Sequence, residues 1–490
     1  MKKILFSLII LLIGPTIKAQ NEVDAFRLSQ FYSEGTARSM AMANAFGAIG
    51  SDLSAAVYNP AGIGFFNHFE FTYTPSLLFH KNEVTFNNSK VISPKNLFYT
   101  SNLGIIFPIN LNEEVLKNIN FSFGYNRLNN YKQNINVSGI NPNGSMLDYF
   151  MLSANGNTPN TLSDFSTWLA FDTWLIDTVQ GTNGLKYTNP LWFAAAPNAP
   201  VYGQRVTRYD TQKGGAGEMF MNAAFNFKDI LFLGATLSIP SGYYEHQITH
   251  TEDNFVDTTD LRSFSYTEIL SQKFEGVNFK AGLIFQPIKF IRIGGSISTP
   301  TYYTINEKFS SNVESHWKSP DADNRYDYYQ NSPKNEFKYH LSTPTILRAN
   351  LGIIVAPVFL IGLDYENIDY SGMFMSADDY LFTTENSTID TLFKSVNNLR
   401  AGAEINLGVL RFRGGYALFG NPYSNSQNVF ERNQISAGLG LNSENFYFDF
   451  AYTLTQANRK YAMYNGYIDE PIPKITSKIS TYTVTFGIKF

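Results

Sequence analysis

From about Phe69 to the final residue, apolar and polar positions alternate with a period of two, as they do in strands with one apolar face. The last segment is the clearest. Tyr482, Val484, Phe486, Ile488 and Phe490 point one way, and Thr481, Thr483, Thr485, Gly487 and Lys489 point the other. Segment 446–454 repeats the pattern, with Phe446, Phe448, Phe450, Tyr452 and Leu454 opposed to Tyr447, Asp449, Ala451 and Thr453. The alternation predicts about fourteen strands, near 69–79, 96–107, 119–138, 214–227, 230–250, 263–286, 289–308, 336–355, 358–370, 395–406, 409–418, 433–442, 445–456 and 475–490. Most gaps after even-numbered strands are tight: Lys228-Asp229, Pro287-Ile288, Ala356-Pro357, Leu407-Gly408 and Ser443-Glu444, with Pro108 to Asn118 the exception. Gaps after odd strands are longer: 80–95, 139–213, 251–262, 309–335, 371–394, 419–432 and 457–474. Alternating short and long connections around an even number of strands mark a transmembrane β-barrel, with tight periplasmic turns and long extracellular loops.

One compact stretch of the chain beyond its N-terminal leader breaks the pattern, Gly35 to Gly64. Ala37, Met40, Ala41, Asn44, Ala45 and Ala48 recur at helical spacing until Gly47 and Gly50 interrupt them. Ser51 is placed to cap a second short helix over Asp52 to Val57. Asn59-Pro60-Ala61-Gly62 then closes the stretch as a turn. This small-residue segment is expected to be a plug inside the barrel. Gln20 to Glu34, before it, reads as polar and extended. The expected organisation is therefore a signal peptide over 1–19, an N-terminal extension and hatch over 20–66, and a barrel over 67–490 with its long outer loop at 139–213.

The signal peptide rests on Lys2 and Lys3, the apolar run Ile4 to Ile13, and a cleavage site between Ala19 and Gln20. That run is too short to span a bilayer, and no later segment approaches the length of a transmembrane helix. Composition agrees with a barrel. Aromatic residues make up 16% of the 490 positions, 42 Phe and 30 Tyr among them, at a mean hydropathy of only −0.17. A lipid-facing wall with aromatic girdles accounts for that load. A net charge of −4 excludes a typical nucleic-acid binder, and the absence of cysteine excludes disulfides and thiolate chemistry. Loop 139–213 holds Trp168, Trp174 and Trp192, and either folds over the barrel mouth as an apolar landing surface or packs on a small core of its own.

The alternation also sorts charges. It turns Leu347, Leu351, Leu363, Leu399 and Phe412 outward, and Arg348, Asp364, Glu366, Arg400, Glu404, Arg411 and Arg413 into the lumen. An Arg on the lipid face near the midplane would cost about 2–4 kcal/mol. The patch can pair internally and hold the plug, or an Arg in it can meet an anionic head group. Signs of enzyme chemistry are poor. His246 and His250 lie on one face near Glu252 and Asp253 without a full ligand set, and Asp321, Asp323 and Asp327 lack the glycine and closing acid of a calcium loop. Gly214 to Gly217 opens a strand, not a helix, and no G-x-S-x-G elbow occurs. No cofactor and no metal site is expected.

The plug residues, with Gly35-Thr36-Ala37-Arg38, Ala45-Phe46, Ser51-Asp52 and above all Tyr58-Asn59-Pro60-Ala61-Gly62, resemble the N-terminal hatch of the FadL/TodX family of outer-membrane transport proteins. Ile293 to Pro300, Thr343-Pro344 with Leu347 to Gly352, and Arg413 to Tyr416 are similar as well, and Phe490 resembles the terminal aromatic read by the barrel-assembly machinery. The resemblance implies a fourteen-stranded barrel with an N-terminal hatch in the lumen. It implies uptake of long-chain fatty acids or aromatic hydrocarbons across a Gram-negative outer membrane, with outer-membrane lipid as surroundings and one chain as the unit. It also implies sideways exit at a kink in the third strand, for which Gly124 or Asn129-Asn130 are the candidates. The alternative is a FadL-like barrel recruited to protein secretion, surface attachment or a haem-receptor type role.

Overall fold

The computed structural model describes residues 22–490 apart from 33, 112, 182–183, 196–199, 257–258, 356–357, 425–429, 461–462 and 465–471. The signal peptide, its Ala19-Gln20 site and the Ala356-Pro357 turn lie outside the described residues. Fourteen antiparallel staves close into a barrel. They are β1 (Glu70–Phe86), β2 (Ser89–Asn110), β3 (Leu116–Asn130, continued by Gln133–Ile140), β4 (Arg205–Phe227), β5 (Leu231–Asp253) and β6 (Leu261–Ile288). Then come β7 (Ile291–Ser298 and Tyr302–Trp317), β8 (Asn335–Ser342 and Ile346–Val355), β9 (Phe359–Asp369) and β10 (Ser395–Leu407). The last four are β11 (Leu410–Phe419), β12 (Phe430–Asn442), β13 (Phe446–Lys460) and β14 (Lys474–Lys489). Closure comes from β14 pairing with β1, Glu70 opposite Lys489 and Thr85 opposite Lys474.

Period-two alternation decides which face meets what. Tyr482, Phe486 and Ile488 on β14 are 41–48% exposed, whereas Thr481, Thr483 and Thr485 between them are at most 4% exposed. The exposed apolar set continues around the wall through Phe107, Phe121, Leu237, Phe279, Ile297, Leu347, Leu363 and Phe412. A closed apolar belt of this kind is a bilayer-facing surface, since closure leaves no unpaired strand edge in lipid.

Tight turns gather at one end with Phe69 and Phe490, and we call this the turn end. There Lys228 and Asp229 both take φ of +56°, and Gly408 takes +70°. The Phe490 amide donates to the Phe69 carbonyl at 2.9 Å. The opposite, loop end departs from expectation at several gaps, where strand runs into the expected loop: to Trp317 in 309–335 and from Arg205 in 139–213. The gap expected at 80–95 is strand: β1 and β2 run on to a two-residue turn at Asn87-Asn88, and Phe86 lies opposite Ser89. Apolar alternation fades there because these extensions stand above the lipid band, where an outward apolar face gains nothing. The segment before Gly35 is also not extended. Glu22–Ser29 forms helix α1, whose Ala25, Phe26 and Leu28 are buried, with the Phe26 ring 4.9 Å from that of Phe393 and 5.1 Å from that of Tyr370. Its polar residues hid an amphipathic turn.

Candidate functional site

The residues after Gly35 are buried almost without exception, and their partners lie on opposite sides of the wall. Thr36 caps a five-residue helix, α2 (Ala37–Ala41), and the Ala37 amide donates to Thr485 Oγ1 of β14 at 2.7 Å. Asp364 Oδ2 of β9 accepts both the Phe46 and Gly47 amides at 3.0 Å. Asn120 of β3 donates to the Ile63 and Phe66 carbonyls, and Ser296 of β7 to the Tyr58 carbonyl. A segment bonded to β3, β7, β9 and β14 at once crosses the lumen. The wall answers its small side chains with glycine. A Cβ at Gly234, Gly282, Gly362, Gly402 or Gly415 would run into Pro60, Asn59, Ala45 or Met42 of the segment. Gly362, Gly402 and Gly415 are direct cross-strand neighbours, so backbone meets backbone across three adjacent staves.

The Asn59-Pro60-Ala61-Gly62 turn is the segment's anchor. Asn59 Oδ1 accepts from the Ala61 amide and caps a 3-10 turn over Pro60–Phe65. Its Nδ2 donates to the Leu283 carbonyl at 3.2 Å and to Asn350 Oδ1 at 3.3 Å. The second helix starts later than expected, at Ala55, because Ser51 sits at φ of +54° and Asp52 turns its carboxylate back to the Ser54 amide.

All seven charges assigned to the lumen lie on inward positions, and five of them engage in two groups. In the first, Glu366 accepts from Arg348 at 2.7 Å and from Arg400 at 2.8 Å. In the second, Glu404 accepts from Arg413 at 2.6 Å, and from Arg38 of the plug segment at 2.9 Å. Arg413 also reaches Asp449 at 2.6 Å. Asp364 serves the segment's backbone, as above, and Arg411 makes no ion pair among the described residues. Arg38 and Asp449 are the members that patch reading overlooked. Asp449 was visible as an inward position on β13, and Arg38 as the one cation of the small-residue stretch.

Toward the loop end, the described residues of 141–202 fold into a cap. Its first helix, α3 (Met146–Ala154), starts at a capping box of Ser145 and Asp148, and a short helix, α4 (Thr167–Asp172), packs with it. Met146, Leu147, Phe150, Leu169, Leu175 and Ile176 share one core with Val84 and Phe86 of β1, Ile135 and Val137 of β3 and Phe264 of β6. The long loop therefore both covers the mouth and has a core, shared with the upper wall. Trp174 and Trp192 remain 53% and 40% exposed. His250 and Glu252 act in this seat. Glu252 accepts from Ser145, the Met146 amide, Gln204 and His250 Nε2, and so fastens the start of α3. His246 instead pairs with Asp210 at 2.9 Å, so the two histidines do not converge.

Between cap and plug segment lies a cavity of about 980 Å³. Its lining mixes apolar groups such as Phe26, Tyr149 and Ile479 with Arg348, Arg400 and Arg432. It also touches Asn129, Asn130, Tyr131 and Gln133, and here the wall changes. β3 pairs with β2 only from Asn118 opposite Asn110 to Asn126 opposite Asn102. Beyond that β2 stays with β1 all the way to Ser89, whereas β3 shifts register against β4 between Arg127 and Asn129 and continues as Gln133–Ile140. The break coincides with Asn129-Asn130, and Gly124 lies in regular ladder opposite Gly104.

The chain just after α1 bridges this parting. The Tyr32 amide donates to the Leu128 carbonyl at 3.1 Å, and the Glu34 amide to the Arg127 carbonyl at 3.0 Å. The Glu34 carboxylate then reaches β2, where the Tyr99 and Ser101 hydroxyls each donate to it at 2.6 Å. Asn130 adds a bond at 3.2 Å. Glu34 was not a sequence candidate; only a neighbour in space reveals it.

A closed fourteen-stranded wall, an apolar outer belt and a lumen crossed by its own N-terminal segment define a plugged outer-membrane-type barrel. Solved channels share that fold. A Pseudomonas aeruginosa FadL homologue superposes with a TM-score of 0.57 at 12% identity, covering 94% of this chain and 100% of its own. The P. putida toluene transporter TodX gives a TM-score of 0.51 at 8% identity, covering 94% and 99%. A TodX deltaS2S3 mutant, described as a monoaromatic hydrocarbon channel, gives 0.54 at 9% identity, covering 94% and 100%. No protein-family profile matches the sequence, and neither does any curated protein.

Proposed function

We propose that this chain is an outer-membrane channel for hydrophobic compounds, long-chain acids or aromatic hydrocarbons, with the turn end in the periplasm. The observation that carries the reading is the parting of β3 from β2 at Asn126, beside the cavity. A compound that leaves water at the cap gains about 0.8 kcal/mol per buried CH₂. It rests in the cavity, where Arg348, Arg400 or Arg432 can meet an acidic head group. It leaves sideways into the bilayer through the parting and never returns to water. The Gly35–Gly64 segment is the hatch that blocks the straight path, held by the Asn59–Gly62 turn and by Arg38 on Glu404. Both the known fold relatives and the sequence resemblance support this reading, and none of its steps needs a reacting group or cofactor.

A second reading, a scaffold that holds a protein partner, draws on the exposed Trp174 and Phe193 of the cap. Mass spectrometry of detergent-extracted protein separates the two. Transport predicts a substoichiometric apolar ligand that is lost when Thr455 or Thr481, on the cavity wall, is enlarged to Trp. A co-purifying protein with no apolar ligand would overturn it.

A further inference from the structure

Opposite the β2–β3 parting, three neighbouring staves break at one height. β7 breaks at Thr299-Pro300-Thr301, β8 at Thr343-Pro344-Thr345, and β9 at the turn Tyr370–Gly372. The breaks are aligned by register: Ser298 faces Ile346 below them, and Tyr302 faces Ser342 above. Proline cannot donate to a ladder, and the Thr301 and Thr343 groups bond to each other in place of the missing rungs. The result is a cleft of about 300 Å³ on the wall, lined by Tyr302, Thr304, His340, Ser342, Phe374 and Ser376.

The cleft sits at a boundary. Eleven residue steps lead from Ile291 at the turn end to Tyr302. At about 3.3 Å each and a tilt of roughly 40°, they climb about 28 Å, just past an apolar band of about 25 Å. The side chains agree. Below and beside the cleft are Val277, Ile297, Tyr302 and Phe374, all 44–61% exposed. Above it, one register row runs Tyr243, Lys273, Asn306 and Lys338 on β5 to β8. Lys273 and Lys338 join no ion pair among the described residues, whereas Lys308 one row higher is taken by Glu336 at 2.6 Å. Glu275 stands between Lys273 and the cleft, and His340 Nδ1 lies 3.2 Å from Thr304 Oγ1.

We propose that this cleft is a binding site for one phosphorylated lipid of the outer leaflet. An acyl chain lies along Val277, Tyr302 and Phe374, and a head-group phosphate meets Lys273 and Lys338. The inference rests on the membrane placement above and is independent of what the lumen carries.

The test is native mass spectrometry of the full chain in detergent, titrated with bis-phosphorylated lipid A. One lipid should be retained. Dephosphorylated lipid A should bind about thirtyfold more weakly, roughly fivefold for each lysine contact. K273Q/K338Q should lose the same factor, and S342W, which fills the cleft, should lose binding while leaving both lysines in place. K308Q should bind like the parent, and free inorganic phosphate in excess should not compete. Equal retention of both lipids, equal retention by the double variant, or the same loss in K308Q would overturn the proposal. Recovery of each variant in the outer-membrane fraction, as a heat-modifiable band, tests membrane placement and folding separately from lipid binding.

Discussion

Replacing Glu34 by alanine removes a side chain that spans the parting between β2 and β3 with three hydrogen bonds, to Tyr99, Ser101 and Asn130. Hydrogen bonds to a charged group are each worth about 1.5–3 kcal/mol. The two short ones together set a gross loss of about 3–6 kcal/mol for the docked state. Relief from holding a carboxylate away from water offsets a few kcal/mol of it, and about 2 kcal/mol is left. That is about thirtyfold in the equilibrium between docked and released chain. The assay is amide hydrogen exchange at positions 32 and 34, whose N–H groups donate to Leu128 and Arg127. Exchange at both should rise by about thirtyfold, while the Met40 and Asn59 amides, bonded within the plug segment, keep their protection. E34Q, which keeps one acceptor, should fall between. Unchanged protection at positions 32 and 34 in E34A would refute the reasoning, as would equal loosening at Met40 and Asn59.

Other outcomes follow from the same geometry. G402V places a side chain against Met42 backbone that cannot yield, so the plug segment should fail to seat and trypsin should cut after Arg38, which is 14% exposed in the intact protein. K280M strands the buried Glu218 carboxylate, which now takes Lys280 at 2.6 Å, and should cost about 3–5 kcal/mol in the heat-modifiable band; K280M/E218L should recover most of that. Burial holds the Asp148 carboxyl of the cap above its usual range, against hydrogen bonds from Asn189 and Trp192 that lower it. Its folded value thus exceeds the unfolded one near 4, so its contribution is full below about pH 4 and is lost as pH rises through the raised value. Cap protection should fall between those limits in the parent and stay level in D148N.

Much of the wall was legible in the chain. Strand alternation depends only on neighbours two apart, so the inward placement of Arg348, Glu366, Arg400, Glu404 and Arg413 could be read residue by residue. The extensions of β1 and β2 beyond the lipid escaped, since from Lys81 to Pro94 the outward face carries a single large exposed apolar residue, Ile92. Helix α1 escaped because its 8 residues, about two turns with Phe26 and Leu28 among polar residues, are too short a period to recognise. Glu34 and Arg38 were silent for another reason. Their partners lie 65 and 366 positions away, and only the closed barrel brings them together.

Uptake through the lumen is the function on which the rest depends. The direct measurement is entry of a radiolabelled long-chain acid and of a labelled aromatic hydrocarbon, each at low external concentration. It compares a deletion strain with the same strain carrying the parent chain or T455W/T481W, which narrows the cavity from its wall. The parent should restore entry of at least one compound, and T455W/T481W, inserted in equal amount, should not. Equal entry in the deletion strain and the parent, or full restoration by T455W/T481W, would contradict uptake through the lumen.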